Sequence, residues 1–469
     1  MYDAMKKVFF SLSFIIGAFA APAQISDNKV SKAYKEFEND EQLKGALVSL
    51  YVVDGNTDSV VFEKNAFTGM APASTQKIIT STTAYELLGK DFHFTTDFGL
   101  IRNNKNVTSI YIKGSGDPTL GSWRWNQTNE KAVLKNVLDA VMKSGIRSVH
   151  SIVVDQSGWE SGVIPDAWIW QDLGNYFGAV ADNLNWRENQ YDIVFKSGKI
   201  IGDTAQMIAV RPPLYKNHIR SQVTTAEKGT GDNTIIYLPF INQDILIKGT
   251  IPVEEKEFIV SGSIPSGARQ LAYTIADSLA KKWHIKMPAL QMIGSKKALS
   301  LVPDRINIIY RNQSPDMDSI MYWFLKKSIN LYGEALVKTI AFHNNKTGST
   351  ENGVAIVKDF WTQKGIDPSE LQLVDGSGLS PVNRVTAHAQ VTILKYARKQ
   401  PWFNGFYNAF PEYNGMKMKS GTIGGVKGYC GYHTSVNGHE YIFSLLVNNY
   451  SGSTASIVQK MYHLLDVLK

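Results

Sequence analysis

Ser74 and Lys77, in Ala71-Pro72-Ala73-Ser74-Thr75-Gln76-Lys77, stand about one helical turn apart. On a helix the two side chains share a face, and the lysine amine reaches the serine hydroxyl. A serine hydroxyl is a weak nucleophile until a neighbour takes its proton. A lysine can take it once desolvation or a second cation lowers its pKa. A helix N-terminus at the serine adds backbone N–H groups aimed at developing negative charge. Two further short patterns follow along the chain. Ser328-Ile329-Asn330 precedes Leu331-Tyr332-Gly333-Glu334-Ala335, and Lys419-Ser420-Gly421-Thr422 comes later.

Each pattern alone is common. Ser26-Asp27-Asn28-Lys29 repeats Ser-x-x-Lys and reads as the solvated start of a mature chain. Ser-x-Asn recurs at Ser26 and Ser435, and Lys-Ser/Thr-Gly at Lys143, Lys196 and Lys346. The elements around them decide. Pro72 and the apolar spacing up to Gly89 predict a helix that starts at Ser74 and ends at that glycine. Residues 45 to 65 alternate around Asp54-Gly55 and predict a hairpin. Two strands are expected between His93 and Lys113, turning at Asn103-Asn104, then a helix over 130–143 and a buried strand over 150–155. Gly114-Ser115-Gly116-Asp117-Pro118 reads as a turn, because no Gly-Lys-Ser/Thr follows to make a phosphate cradle.

Residues 157 to 187 are rich in Trp and Gly without periodicity, as expected of a functional loop or of a plug between domains. Residues 190 to 262 read as an all-β insert and 267 to 282 as a helix. Helices are then expected at 316–343, 353–364 and 386–398, strands at 417–420, 428–436 and 440–449 with Asn437-Gly438 as a turn, and a last helix from 453. Lys143 and Lys346 fall at helix ends and Lys196 in the β insert. Only Lys419 begins a strand that continues into a hairpin and a final helix.

The chain has 469 residues, enough for two or three domains, with 43% hydrophobic and 19% charged residues, which excludes disordered and fibrous classes. Lys6 and Lys7 ahead of an apolar run from Val8 to Ala20 predict an export signal over residues 1–23, cleaved near Ala20 or Ala23. No later segment is apolar enough for a membrane span. Removing residues 1 to 23 takes away a net +1 and leaves a formal charge of +6 (7 − 1). The basic residues are dispersed, which argues against nucleic acid as a partner. Cys430 is the only cysteine, and the nine histidines show no ligand spacing, so neither a disulfide, a metal nor another cofactor is expected.

The three patterns in order are the signature of penicillin-binding proteins and serine β-lactamases. Together with Ser-Gly-Asp-Pro-Thr-Leu at 115–120 and Asp375-Gly376-Ser377-Gly378-Leu379-Ser380, they make the chain resemble the D-alanyl-D-alanine carboxypeptidase/endopeptidase family of the penicillin-binding-protein-four type. The likeness covers nearly the whole mature chain. The 254 residues between Ser74 and Ser328 (328 − 74) match that family's habit of nesting two domains inside the catalytic one.

The resemblance implies an α/β serine β-lactamase/transpeptidase-like catalytic domain, an antiparallel sheet flanked by helices, at 24–92 and 296–469. Inserted in it are an α+β domain at 93–187 and 265–295 and a nested β-rich domain at 188–264. It implies an exported, periplasmic peptidase acting on peptidoglycan stem peptides, with β-lactams as covalent inhibitors. In that scheme Ser74 forms an acyl-enzyme, Lys77 accepts its proton, and Ser328 passes a proton to the departing nitrogen. Asn330 and Lys419 hold Lys77, the relay and the substrate. The N–H groups of Ser74 and Thr422 form an oxyanion hole. Ser420 and Gly421 complete the binding strand, on which Lys419 and Thr422 take the terminal carboxylate. Asp172 and Phe177 match a side-chain pocket, whereas Pro381 and Gly424 replace an Arg and a Gln that relatives carry there. The expectation is therefore that the ammonium of a diamino side chain is recognised and its carboxylate is not gripped in the same way. The competing readings are a β-lactamase or esterase of the same chemistry, and a penicillin-binding scaffold without catalysis.

Overall fold

Leu47–Asp54 is the strand on which a six-stranded sheet is built, in a computed structural model that describes residues 23–102, 108–239, 244–294 and 306–469. The expected export signal and the Asn103-Asn104 turn lie outside the described residues, apart from Ala23. Alternation sends Leu50 and Val52 to one hydrophobic layer and Tyr51 and Val53 to the other, so the strand is buried on both faces. It pairs antiparallel with Glu440–Asn448, Leu50 opposite Leu445, and on its other side with Val60–Lys64. Segments far apart in sequence thereby close one six-stranded sheet, completed by Val426–Thr434, Met416–Ile423 and Glu412–Tyr413.

One face of this sheet is covered by Ala23–Glu38 and Thr454–Leu465, through Val30, Tyr34, Phe37, Ile457, Met461 and Leu464. Ser26 to Lys29 lie within the first of these helices. The spacing of Val30, Tyr34 and Phe37, four and then three residues, is the helical signal there. The other face packs on Lys77–Leu87 and Ala387–Arg398. Phe403–Ala409 adds a short helix that the sequence reading left out.

The helix expected over 316–343 is two helices, Met317–Lys326 and Asn330–His343. Between them Ser328 adopts φ +57°, a left-handed conformation that costs a non-glycine residue about 1–3 kcal/mol. No Gly or Pro marks the break, which is why apolar periodicity runs across it.

Thr95–Arg102, Thr108–Gly114 and Ser151–Asp155 lie in a second sheet, five-stranded, packed on the helices Glu130–Lys143 and Gly267–Trp283. Its edges are Ala289–Ile293, parallel to Ser151–Asp155, and Asn307–Gln313, antiparallel to Thr95–Arg102. The return to the catalytic unit at 296 lies outside the described residues. Asn307–Gln313, which that boundary assigned to the catalytic unit, is paired into the inserted sheet instead. The β-rich stretch contains two three-stranded sheets around Tyr191, Ile193, Phe195, Val223, Ile236, Ile245 and Ile247.

Candidate active site

Ala73, at φ +46°, turns the chain so that Ala73–Gln76 forms a tight 3-10 turn just ahead of the helix Lys77–Leu87. Ser74 therefore precedes the α-helix, and Thr75 closes the turn through Oγ1 to the Pro72 carbonyl at 2.7 Å. Lys77 through Tyr85 are all buried, so the helix has no solvated face along which the lysine could swing away.

Lys77 Nζ lies 2.9 Å from Ser74 Oγ, 2.6 Å from Asn330 Oδ1 and 2.7 Å from the Ser377 carbonyl. Burial lowers its pKa from 10.5 to about 7, although the charges of Asp375 and Glu334 oppose the shift. Asn330 is held in turn, donating from Nδ2 to the Phe177 carbonyl at 2.8 Å. The left-handed break brings Ser328 Oγ to 2.9 Å from Lys419 Nζ, which also donates to the Ser420 carbonyl at 2.6 Å. Lys419 is buried, and desolvation first, then the charge of Lys77, holds its pKa well below the ordinary lysine value.

Gly421 explains how the lysine strand reaches Ser74. A Cβ there would lie 2.5 Å from the Pro72 carbonyl oxygen and 3.0 Å from Ser74 N, so only glycine lets the two backbones meet. Thr422 follows it, exposed, while Ser420 is half-buried with its hydroxyl 3.5 Å from Tyr413 OH.

Sequence reasoning quoted Asp375 within a motif but gave it no role. Its buried carboxylate accepts from Gln76 Nε2, Gly378 N and Asn383 Nδ2 on one oxygen and from Trp168 Nε1 and Ser380 N on the other. The loop carrying the Ser377 carbonyl is thus wrapped around one acid. Glu334, one turn after Asn330 on the same helix, accepts from Gly376 N at 3.1 Å, and burial raises its pKa to about 8. Its spacing from Asn330 was the available signal.

The aromatic segment is tied to this site. Trp168 reaches Asp375, Phe177 offers its carbonyl to Asn330, and Trp168, Leu173 and Phe177 pack with Leu379. Phe177 acts here through its backbone. Asp172 sits half-buried in the turn Trp170–Leu173, and burial alone raises its carboxyl pKa. The Pro381 carbonyl accepts from Arg384 Nη1 at 2.7 Å, and Gly424 is exposed at the strand end with open space around it. Among the described residues no group of three or more His, Cys, Asp or Glu side chains could hold a metal, and no helix is long and apolar enough to cross a membrane.

A serine beside a buried, depressed lysine, on a helix packed against an antiparallel sheet, defines a serine hydrolase of the penicillin-binding class. The model of the D-Ala-D-Ala carboxypeptidase 3 (S13) family matches residues 30–413, and the chain belongs to that family. It is 25% identical to the D-alanyl-D-alanine carboxypeptidase of Actinomadura sp. (strain R39), over 95% of this chain and 86% of that one. Its fold is similar to the crystal structure of penicillin binding protein 4 (dacB) from Haemophilus influenzae, with TM-score 0.76 and 22% identity, covering 93% of this chain and 98% of the other. The same protein complexed with a β-lactam gives TM-score 0.71, 21% identity and the same 93% and 98% coverage.

Proposed function

We propose that this protein is an exported serine peptidase that cuts peptidoglycan stem peptides after a D-alanine and is acylated by β-lactams. The observation that carries the reading is the surroundings of Lys77 Nζ. A neutral amine has two N–H donors and one lone pair. Asn330 Oδ1 and the Ser377 carbonyl take the donors, which leaves the lone pair for the Ser74 hydroxyl proton. With a pKa of about 7, the amine is available in this form at neutral pH.

Ser74 Oγ then adds to the carbonyl carbon as its proton passes to Lys77. The oxyanion is held by the N–H groups of Ser74 and Thr422, each donor contributing about 3 kcal/mol. The C–N bond breaks, and the leaving nitrogen takes the proton from Lys77 by way of Ser328 Oγ, beside Lys419. Water attacks the ester, Lys77 accepts its proton, and Ser74 regains one as the acid departs. A β-lactam follows the same first steps, but its leaving nitrogen stays tethered and the ester persists.

The outer edge of Lys419–Ile423 has no partner strand among the described residues, so an extended peptide can pair along it. Gly421 keeps that edge against Ser74, and Ser420, Thr422 and Lys419 supply donors for a terminal carboxylate. Asp172 receives the ammonium of a diamino side chain. Asp172→Ala is expected to raise KM about tenfold for a diaminopimelate-containing peptide and to leave one with an uncharged side chain nearly unchanged. Equal cleavage of the diaminopimelate peptide by both enzymes discards this assignment.

The layout supported is a catalytic unit at 24–92 and in the C-terminal part, an α+β insert at 93–187 that resumes at 265 and takes in Asn307–Gln313, and a nested β unit at 188–264. Export rests on the lysine-flanked apolar run at the chain start and is checked by N-terminal sequencing of the protein recovered from the cell envelope.

The deciding experiment is mass spectrometry of muropeptide monomers and cross-linked dimers before and after incubation, with the penicillin adduct mapped in parallel. Loss of a terminal D-alanine from monomers supports carboxypeptidase action, and dimer cleavage supports endopeptidase action. Rapid β-lactam turnover moves the protein to the β-lactamase reading. An adduct on Ser74 without peptide cleavage moves it to a scaffold.

A further inference from the structure

Away from Ser74, a cleft of about 340 Å³ lies between the helices Met317–Lys326 and Phe403–Ala409. That volume is in the range of small-ligand sites. Trp125, Tyr322 and Trp323 line it with rings set at right angles: Trp323 meets Trp125 at 84° and Tyr322 at 90°, with centroids 6.5 Å and 5.3 Å apart. Tyr322 is 40% exposed, so ring surface that a core would cover faces water instead. Trp323 is held in place. Arg124 lies 4.7 Å over its ring, and that guanidinium is fixed in turn on the buried Glu188 carboxylate, by Nε at 2.7 Å and Nη2 at 3.1 Å.

Unpaired polar groups belong to the same lining. Asp318 Oδ1 accepts from Tyr85 OH at 2.8 Å, whereas its Oδ2 has no hydrogen-bond partner among the described residues. The indole N–H groups of Trp125 and Trp323, the Tyr322 hydroxyl and the side-chain amide of the exposed Asn408 have none there either. A Cβ at Gly405 would collide with the Asp318 carboxylate, and its absence leaves the acid room beside the second helix. Flat apolar faces beside free donors and acceptors suit a pyranose ring, which stacks its C–H face on an aromatic side chain and turns its hydroxyl and amide groups to polar partners. A cation suits the cleft less, because Arg124 already occupies a face of Trp323, and Asp318 repels an anion.

The cleft is also within reach of the reacting bond. Met317–Lys326 is the helix that ends just before Ser328. At 1.5 Å per residue, residues 318 to 323 stand about 8–15 Å from Ser328 along the helix axis. A stem of four residues between sugar and cut bond spans about 13 Å when extended.

We propose that this cleft binds the N-acetylhexosamine backbone of peptidoglycan and holds the glycan strand while its peptide enters the active site. The proposal rests on the peptidase reading above and adds a polymer preference to it: stem peptides still attached to sugar are cut faster than free ones.

Two measurements test it. In the first, wild type and Tyr322→Ala are titrated with the peptide-free tetramer of N-acetylglucosamine and followed by tryptophan fluorescence. Wild type is expected to show a saturable change, and Tyr322→Ala to need about tenfold more tetramer. The second is kcat/KM for a pentapeptide ending in D-alanyl-D-alanine, carried on its disaccharide or free. Wild type should favour the disaccharide form by about tenfold, through KM, and Tyr322→Ala should bring the ratio to within about twofold of one while cleaving the free peptide as wild type does. Thermal melts establish that the variant is folded. If it is not, Trp125→Ala, on a separate segment, is read by the same two measures. No saturable change in wild type, equal binding by the variant, or a variant ratio within about twofold of the wild-type one overturns the proposal. A response to tetramethylammonium and not to the tetramer overturns it in favour of a cation cage. Wild type that cleaves neither peptide overturns the peptidase reading instead, and the titration then decides the cleft alone.

Discussion

Ser74→Ala lowers kcat by roughly 10⁴- to 10⁶-fold, and adding Lys77→Met to it lowers the rate no further. The two side chains are one device, hydroxyl and base 2.9 Å apart, so the second loss has nothing left to remove. Lys77→Met alone falls by about 10⁴-fold, and Lys77→Arg fails as badly because a guanidinium stays protonated. D-alanine release and the rate of penicillin labelling measure both steps, and a double variant far below Ser74→Ala would refute the coupling. In wild type, acylation rises with pH through about 7 as Lys77 loses its proton.

Stability should move the opposite way to activity in these variants. Between about 7 and 10.5 the unfolded chain holds a proton on Lys77 that the folded one lacks, so this group's cost to folding is greatest below pH 7 and shrinks as the pH rises. The melting temperature of Lys77→Met relative to wild type should therefore increase as the pH is lowered from 10 to 6. A difference that does not vary with pH would show that the amine is not depressed in the folded protein.

Asp375→Ala is the second large effect, and it is structural. Five donors lose the carboxylate at once, Gln76 Nε2, Gly378 N, Asn383 Nδ2, Trp168 Nε1 and Ser380 N, and only Gln76 and Asn383 keep a second acceptor, the Asp375 and Ser380 carbonyls. Removing one partner from a buried charged network costs about 3–5 kcal/mol, read as a shift in the denaturant midpoint. Asp375→Asn keeps the volume but offers a single acceptor oxygen, and should lie between. The folded fraction of Asp375→Ala should also label slowly with penicillin. The Ser377 carbonyl that orients Lys77 and the Trp168 end of the aromatic loop are both anchored on this carboxylate. Stability unchanged within about 1 kcal/mol would show that the donors find other partners.

The parts of the site that follow a local period were legible in the chain. Ser74 and Lys77 are one turn apart, Lys419 to Thr422 lie on a strand, and Leu47–Asp54 pairs with Val60–Lys64 as the expected hairpin. What escaped depends on contacts across hundreds of residues. Ser328 breaks a helix without glycine or proline and meets Lys419 from a distant strand, and no neighbouring residue type announces either. Asp375 was quoted within a motif without a role, and its importance comes from Trp168 and Gln76, supplied by separate segments. Lys427, buried with its Nζ 2.8 Å from Thr422 Oγ1, has no motif at all, since that partner lies across a strand pair. Asn307–Gln313 carries strand-forming Ile308, Ile309 and Tyr310, which the reading passed over, and only its pairing with Thr95–Arg102 shows which sheet it joins.

The pairing of Leu47–Asp54 with Glu440–Asn448 also dictates when reactivity can appear. A polypeptide halted before its last strands already contains Ser74 and Lys77, yet lacks Lys419 and the strand edge proposed to seat a β-lactam. Nascent fragments should stay blind to penicillin until synthesis is nearly finished, so labelling by the drug doubles as a signal that the entire molecule has been made and assembled.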